Sequence, residues 1–417
     1  MPAYPMVVRP LAIRALRALA LGLGAAALWA PTAARAIETI KLRLPLLDTD
    51  FIVRVSELRS PQALMAGDSD LAELDRATDG AIGRKLKAVM RSNLPLELRA
   101  VVRNAQGSPL LEQVLLVVGA LGDIDGLPDP LEPAQFQQAM ERAAAKGGIS
   151  LLDVLEQLPG KSVTVQLGRL GSAVQRFRRQ RLSADQLIAT VPPVSSKGPW
   201  LEAGRFSRAR REVTIAVAHR PEPLQLVLIQ PTTQANGRLV VISHGLWDGP
   251  ESFEGWANHL ASRGYTVVLP LHPGSDKDQQ QAMLNGEVPP PSPSELRLRP
   301  LDVTAVLDAV QANRLQGLKG VSAESVVVVG HSWGAITALQ LAGGRATAAG
   351  LRQRCPDVND PDRTFSWLLQ CTFESSVDQA AVNDPRVKAV VAVSPPIGLL
   401  FDPVAASALQ ARTLLVS

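Results

Sequence analysis

The sequence predicts an α/β protein: a mostly parallel, doubly wound sheet preceded by a small, mostly helical domain. Three observations predict it. Val326–Val329, four valines bounded by turn residues, read as a short strand buried on both faces. From about residue 205, apolar runs alternate with helix-compatible stretches, as in strands joined by crossover helices. Between residues 60 and 160, apolar residues instead recur at three- and four-residue spacing.

Taken in order, the chain opens like a secretory signal. Arg9, Arg14 and Arg17 precede the apolar run Ala18–Ala30, and Ala34-Arg35-Ala36 is a small-x-small cleavage site. A membrane anchor would need about 20 apolar residues, more than this run offers. The expectation is a signal peptide over 1–36 and an exported, periplasmic or secreted protein. Those residues hold four arginines and no acid, so the remainder carries 39 basic and 39 acidic residues. That balance gives no argument for nucleic acid. Cys355 and Cys371, an even pair in an exported chain, suggest a disulfide; two buried free thiols are the alternative.

Residues 37–188 form the predicted helical domain. Ile37–Val55 alternates charged and apolar residues as an extended strand or pair. Ser60-Pro61 then opens a helix, and Pro109–Leu121, Pro133–Ala145 and Ser150–Leu158 follow with Ser or Pro starts. No titratable cluster, phosphate-binding glycine loop or metal-ligand spacing is visible there. Arg176, Arg178, Arg179 and Arg181 close the domain as a basic knot, and Arg205–Arg211 holds another. A solvated face is the plain reading and contact with anionic lipid head groups the functional one. Val191–Pro199 is stiff and polar, placing a linker over 189–204.

Within 205–417, Val213–Ala218 and Leu224–Ile229 predict a leading strand pair. Arg238–Ser243, Thr266–Leu271, Val387–Val393 and Thr413–Val416 predict further strands, with helices at Glu251–Arg263 and Leu301–Asn313. Asp276–Arg299, rich in proline and charge, reads as a surface loop or flap.

The chemistry-bearing stretch is Gly330-His331-Ser332-Trp333-Gly334, directly after the valine strand. In a tight strand-to-helix turn, flanking glycines admit close backbone and the serine hydroxyl points out at a helix N-terminus. That position suits a nucleophile for acyl transfer; a structural Gly/Ser turn is the alternative. The developing oxyanion needs two donors. The Trp333 backbone N–H is one, and Leu246 N–H, in Ser243-His244-Gly245-Leu246-Trp247 after an early strand, is the other. Leu246, Trp247 and Trp333 would wall an apolar acyl pocket.

On these motifs, residues 205–417 resemble the α/β-hydrolase superfamily, most closely its platelet-activating-factor acetylhydrolase-like and dienelactone-hydrolase-like branch. Leu269-Pro-Leu-His272-Pro-Gly-Ser-Asp276 is similar to a loop of that group, and the helical domain resembles one of unknown function preceding such hydrolases. The resemblance implies a serine esterase acting on lipid or short-acyl esters, with no metal or other cofactor.

One departure stands out. The superfamily orders its triad Ser, acid, His, yet His219, His244, His259, His272 and His331 all precede Ser332. His331 is adjacent and badly directed; His244 and His272 have loop-shaping places; His219 and His259 read as surface or packing residues. Ser394 stands where acetylhydrolases carry the acid, leaving Asp402 as a fallback. The expectation is a C-terminally truncated hydrolase, nearly inactive as it stands, with a small-molecule or lipid ester as partner. A non-catalytic pseudo-hydrolase binding an acyl ligand or membrane surface is the competing class.

Overall fold

The computed structural model describes residues 36–43, 49–90, 97–119, 122–127, 132–147, 150–190, 198–233, 236–318, 320–357, 360, 363–379 and 381–417. The expected signal segment, except Ala36, and residues 191–197 of the expected linker lie outside them.

The N-terminal region is mostly helical, with a small sheet of which the sequence predicts one strand pair. Strands β1 (Thr39–Arg43) and β2 (Asp50–Arg54) pair antiparallel, as the alternation over Ile37–Val55 predicts. Helices α1 (Pro61–Met65), α2 (Asp70–Ala77), α3 (Ala81–Met90), α4 (Glu97–Asn104) and α5 (Pro109–Gly119) follow. After β3 (Gly122–Ile124) come α6 (Pro133–Ala145), α7 (Leu151–Leu155) and β4 (Ser162–Gln166). The two unpredicted strands complete a sheet of order β2-β1-β4-β3, with β4 parallel to β1 and antiparallel to β3. β3, at three residues, is too short to show an alternating pattern, and β4, Ser-Val-Thr-Val-Gln, alternates but pairs with strands far away in sequence. Ser60 and Ser150 each cap a helix by accepting a backbone N–H, as predicted, and Ser69 caps a third. Ile37, Val53, Val55, Leu58 and Met140 are buried in this region's own core. The basic knot belongs to a long helix, α8 (Leu167–Thr190), the last element before the second region.

The second region is a seven-stranded sheet. Its elements are β5 (Arg208–Ile215), β6 (Leu224–Pro231), β7 (Arg238–Ser243), α9 (Glu254–Ser262), β8 (Thr266–Pro270), α10 (Lys277–Leu284) and α11 (Glu295–Gln311). Then follow β9 (Ser322–His331), α12 (Trp333–Leu341), α13 (Ala349–Arg354), α14 (Phe365–Cys371), β10 (Val387–Val393), α15 (Pro403–Ser407) and β11 (Arg412–Val416). The order is β11-β10-β9-β7-β8-β6-β5. The strands from β11 to β8 are parallel; β6 and β5 run antiparallel to their neighbours. The valine run explains its central place. Val326 and Val328 sink into the core under α11 and α12, while Val327 and Val329 pack on the other face beside Ala257 and Ala261 of α9.

Asp276–Arg299 is not a surface flap. It contains α10 and the first turn of α11, and Glu295 and Arg299 are buried at 3% and 1% exposure. Of its charges, Asp276, Glu295 and Arg299 are buried, while Lys277, Asp278, Glu287 and Arg297 are exposed. Cys355 and Cys371 form a disulfide between the end of α13 and α14, which sets aside the free-thiol alternative.

Candidate active site

One residue separates β9 from α12, and it is Ser332. Its backbone takes φ 52° and ψ −116°, a conformation that side-chain-bearing residues rarely adopt and that costs about 1–3 kcal/mol. The corner is closed around it. A Cβ on Gly330 would stand 2.0 Å from the Gly334 oxygen, and one on Gly334 would stand 2.0 Å from the Ser243 oxygen. Only glycine fits either position. Ser332 N–H donates to the Val393 oxygen at 2.9 Å, tying the turn to β10, while its carbonyl accepts from Ala335 and Ile336 at 2.9 and 3.2 Å. Ser332 is half-buried, and among the described residues its hydroxyl has no hydrogen-bond partner.

The loop after β7 lies against that corner. A Cβ on Gly245 would come within 3.5 Å of the Ser332 Cβ and 3.0 Å of His331 Nδ1, so the glycine admits the close approach. Leu246 follows directly. Trp247, at φ 57°, anchors the loop from the far side: its N–H donates to Ser275 O at 2.7 Å and its Nε1 to Gln279 Oε1 at 2.8 Å. The Trp333 ring does not wall an open pocket as the sequence suggests. It is 4% exposed, 4.6 Å from Phe373 between ring centroids, in a cluster that Leu246 borders. Helix α12, buried at every position, turns that ring inward.

Nearby, a second serine has what Ser332 lacks. Ser243, at the end of β7, shares a 2.9 Å hydrogen bond with His272 Nε2, and His272 Nδ1 meets Asp302 Oδ2 at 2.8 Å. All three side chains are at 0% exposure. Asp302 also accepts from His219 Nε2 at 2.7 Å and from Arg220 at 3.0 and 2.7 Å. Arg220 reaches Glu295 through two more bonds of 2.6 and 3.0 Å. This buried network welds the loop before β6, the end of β8 and α11 together.

Its protonation states follow from these partners. Burial, aided by the Arg299 charge, holds His272 down to about 4, so it is neutral and donates Nδ1–H to Asp302. Burial alone would raise Asp302, but the hydrogen bonds from His219, His272 and Arg220 outweigh it and keep its carboxylate ionised. Burial also holds His244 well below its usual range. His244 Nε2 accepts from His272 N–H at 3.0 Å, and its Nδ1–H donates to Gly245 O at 2.8 Å. Fully buried Arg299, lowered by burial to about 10, donates to His244 O. The loop beside Ser332 is thus braced by charged groups that never reach solvent.

None of the five histidines hydrogen-bonds to Ser332. His219 and His272 hold Asp302, His244 shapes its loop, and His259 lies in the last turn of α9. His331 packs 5.8 Å from Phe253, its Nδ1 without a partner among the described residues. Asp402 is occupied elsewhere: Oδ1 caps α15 by accepting Ala405 N–H at 2.6 Å, and Oδ2 accepts from Thr347 Oγ1 at 3.4 Å. Ser394, exposed at φ 46°, ends β10. Among the described residues no group of His, Cys, Asp and Glu is arranged to hold a metal ion.

Sequence reasoning passed over Arg220, Glu295, Arg299 and Asp302. One signal was there. Positions 295, 299 and 302 follow four- and three-residue spacing, which puts three charges on one face of α11.

Residues 239–415, from β7 to β11, match the family model described as the alpha/beta hydrolase family. The matched span contains the Ser332 corner and the Gly245 loop, and it suggests hydrolase as the class of activity. None of the curated proteins compared with the chain matches it.

Proposed function

We propose that this chain is an exported serine hydrolase of the acetylhydrolase-like kind, cleaving carboxylic esters of lipids or short acyl chains through an acyl-enzyme on Ser332. The observation that carries the reading is the strained, glycine-enclosed corner with Gly245 pressed against it. Strain of this kind persists only where the surroundings over-determine it, and it concentrates at reacting positions. Ser332 Oγ bonds to the ester carbonyl carbon, the acyl–oxygen bond breaks, and the proton given up by the serine ends on the departing alcohol oxygen. Water then releases the acid. Backbone N–H groups of Leu246 and Trp333 receive the oxyanion, a role that needs no cofactor. The Cys355–Cys371 disulfide supports an oxidising compartment.

A specific observation favours a second reading. Without a described histidine on its hydroxyl, Ser332 is a weak nucleophile, so the corner would hold an acyl ligand with little turnover. Covalent labelling separates the two. A fluorophosphonate should label the chain, and Ser332→Ala should abolish labelling without lowering the melting temperature. Labelling that survives this substitution would remove Ser332 from the chemistry. A chain that binds fatty acid but never labels would establish the non-catalytic reading.

A further inference from the structure

Helix α8 serves neither core nor corner. From Val174 to Thr190 its described side chains, except half-buried Arg176, are exposed, including Phe177 at 68% and Ile188 at 69%. Val174, Phe177 and Ile188 fall on one stripe at three- and four-residue spacing, completed by Arg181 and Ala184 between them. Large apolar groups at this exposure on one helix mark a surface that is covered by something.

The charges say what covers it. Arg178, Arg179 and Arg181 stand within one turn, and the nearest acid, Asp185, is 3.9 Å from Arg181 across exposed surface. Arg178 and Arg179 have no ion-pair partner among the described residues. Arg176 is tied to the second region through Asp360 O at 2.9 Å, so it fixes the helix against the body of the protein. A second copy meeting this face would bring like charges together. Hydrocarbon interleaved with long cationic side chains is instead what a bilayer interface takes up: rings and branched chains enter the acyl boundary while guanidinium groups reach phosphates. The helix extends about 36 Å, and among the described residues no helix is long and apolar enough to cross a membrane.

We propose that α8 is a membrane-surface helix that docks the protein on a bilayer containing anionic phospholipid. This goes beyond the ester-hydrolase reading and does not rest on it. The test uses the full chain carrying Ser332→Ala, so no lipid is consumed, sedimented with vesicles of equal parts phosphatidylglycerol and phosphatidylcholine, and with phosphatidylcholine alone. Binding should require phosphatidylglycerol and weaken as salt rises. Replacing Arg178, Arg179 and Arg181 together by Gln should weaken it about 100-fold. Phe177→Ser with Ile188→Ser should weaken it at least about 10-fold. Melting temperatures should not move, because these side chains bury nothing. Equal binding by all three chains, or equal binding to both vesicle types, overturns the proposal. So does a dimer in solution that Phe177→Ser with Ile188→Ser dissolves, which would give the face to a second copy.

Discussion

Two serines end neighbouring strands, and they are opposites. Ser243 on β7 has the full hydrogen-bonded chain to His272 and Asp302, at ordinary backbone angles and with no solvent access. Ser332, directly after β9, has no such chain among the described residues, yet it occupies a strained corner that solvent partly reaches. On the function proposed above, connectivity is therefore not what makes a serine catalytic. The Ser243 chain is spent on stability: its carboxylate also satisfies His219 and Arg220, and its histidine is held neutral. Ser332 has the reverse balance, with backbone strain retained and a hydroxyl left free to react.

Four measurements would break or sharpen that contrast. The largest effect belongs to the buried network. Arg220→Met leaves Glu295 and Asp302 facing each other without their cation, which should lower unfolding free energy by about 3–5 kcal/mol in urea titration. A change near zero would mean the network is solvated in solution.

Next comes pH. The unfolded chain takes up the His272 proton near the ordinary 6.5, and the folded chain only near 4. This contribution to stability is whole above pH 6.5 and is lost as pH falls through about 4, amounting to about 3 kcal/mol. Urea midpoints collected across that range should drop with acid, and His272→Gln should flatten the profile. An equally steep profile in the variant would assign the effect elsewhere.

Ser243→Ala removes one bond from His272 Nε2 and should cost about 1–2 kcal/mol. It should leave fluorophosphonate labelling intact. Loss of labelling here, with labelling retained in Ser332→Ala, would exchange the roles of the two serines. Smallest is Ser332→Gly. Relieving the φ of 52° should raise stability by about 1 kcal/mol, visible as a higher melting temperature. A lower one would show that the corner is held by its side chain and not by its frame.

How much of this was legible beforehand depended on sequence distance. Arg238–Ser243 is the strand the apolar run predicts, because a buried strand is written in consecutive residues. The glycines around Ser332 were readable for the same reason: the backbone approach they permit lies within a five-residue window. Asp276–Arg299 was misread because charge ordinarily marks surface. Its buried charges meet Arg220 and the His244 carbonyl, 75 and 55 residues from Glu295 and Arg299. Nor could spacing announce the Ser243–His272–Asp302 chain, whose members stand 29 and 30 residues apart.

By itself, then, the sequence determined the seven strands of the large sheet and the sharp turn at Ser332, since both follow from local periodicity and from residues with no Cβ. Tertiary structure alone decided which histidines are tied to a carboxylate, that the Trp333 ring turns inward, and that four charges sit buried beside the ends of β7 and β8. Those outcomes depend on which distant groups meet in a dry interior, where a charge persists only beside the partner that offsets its lost hydration.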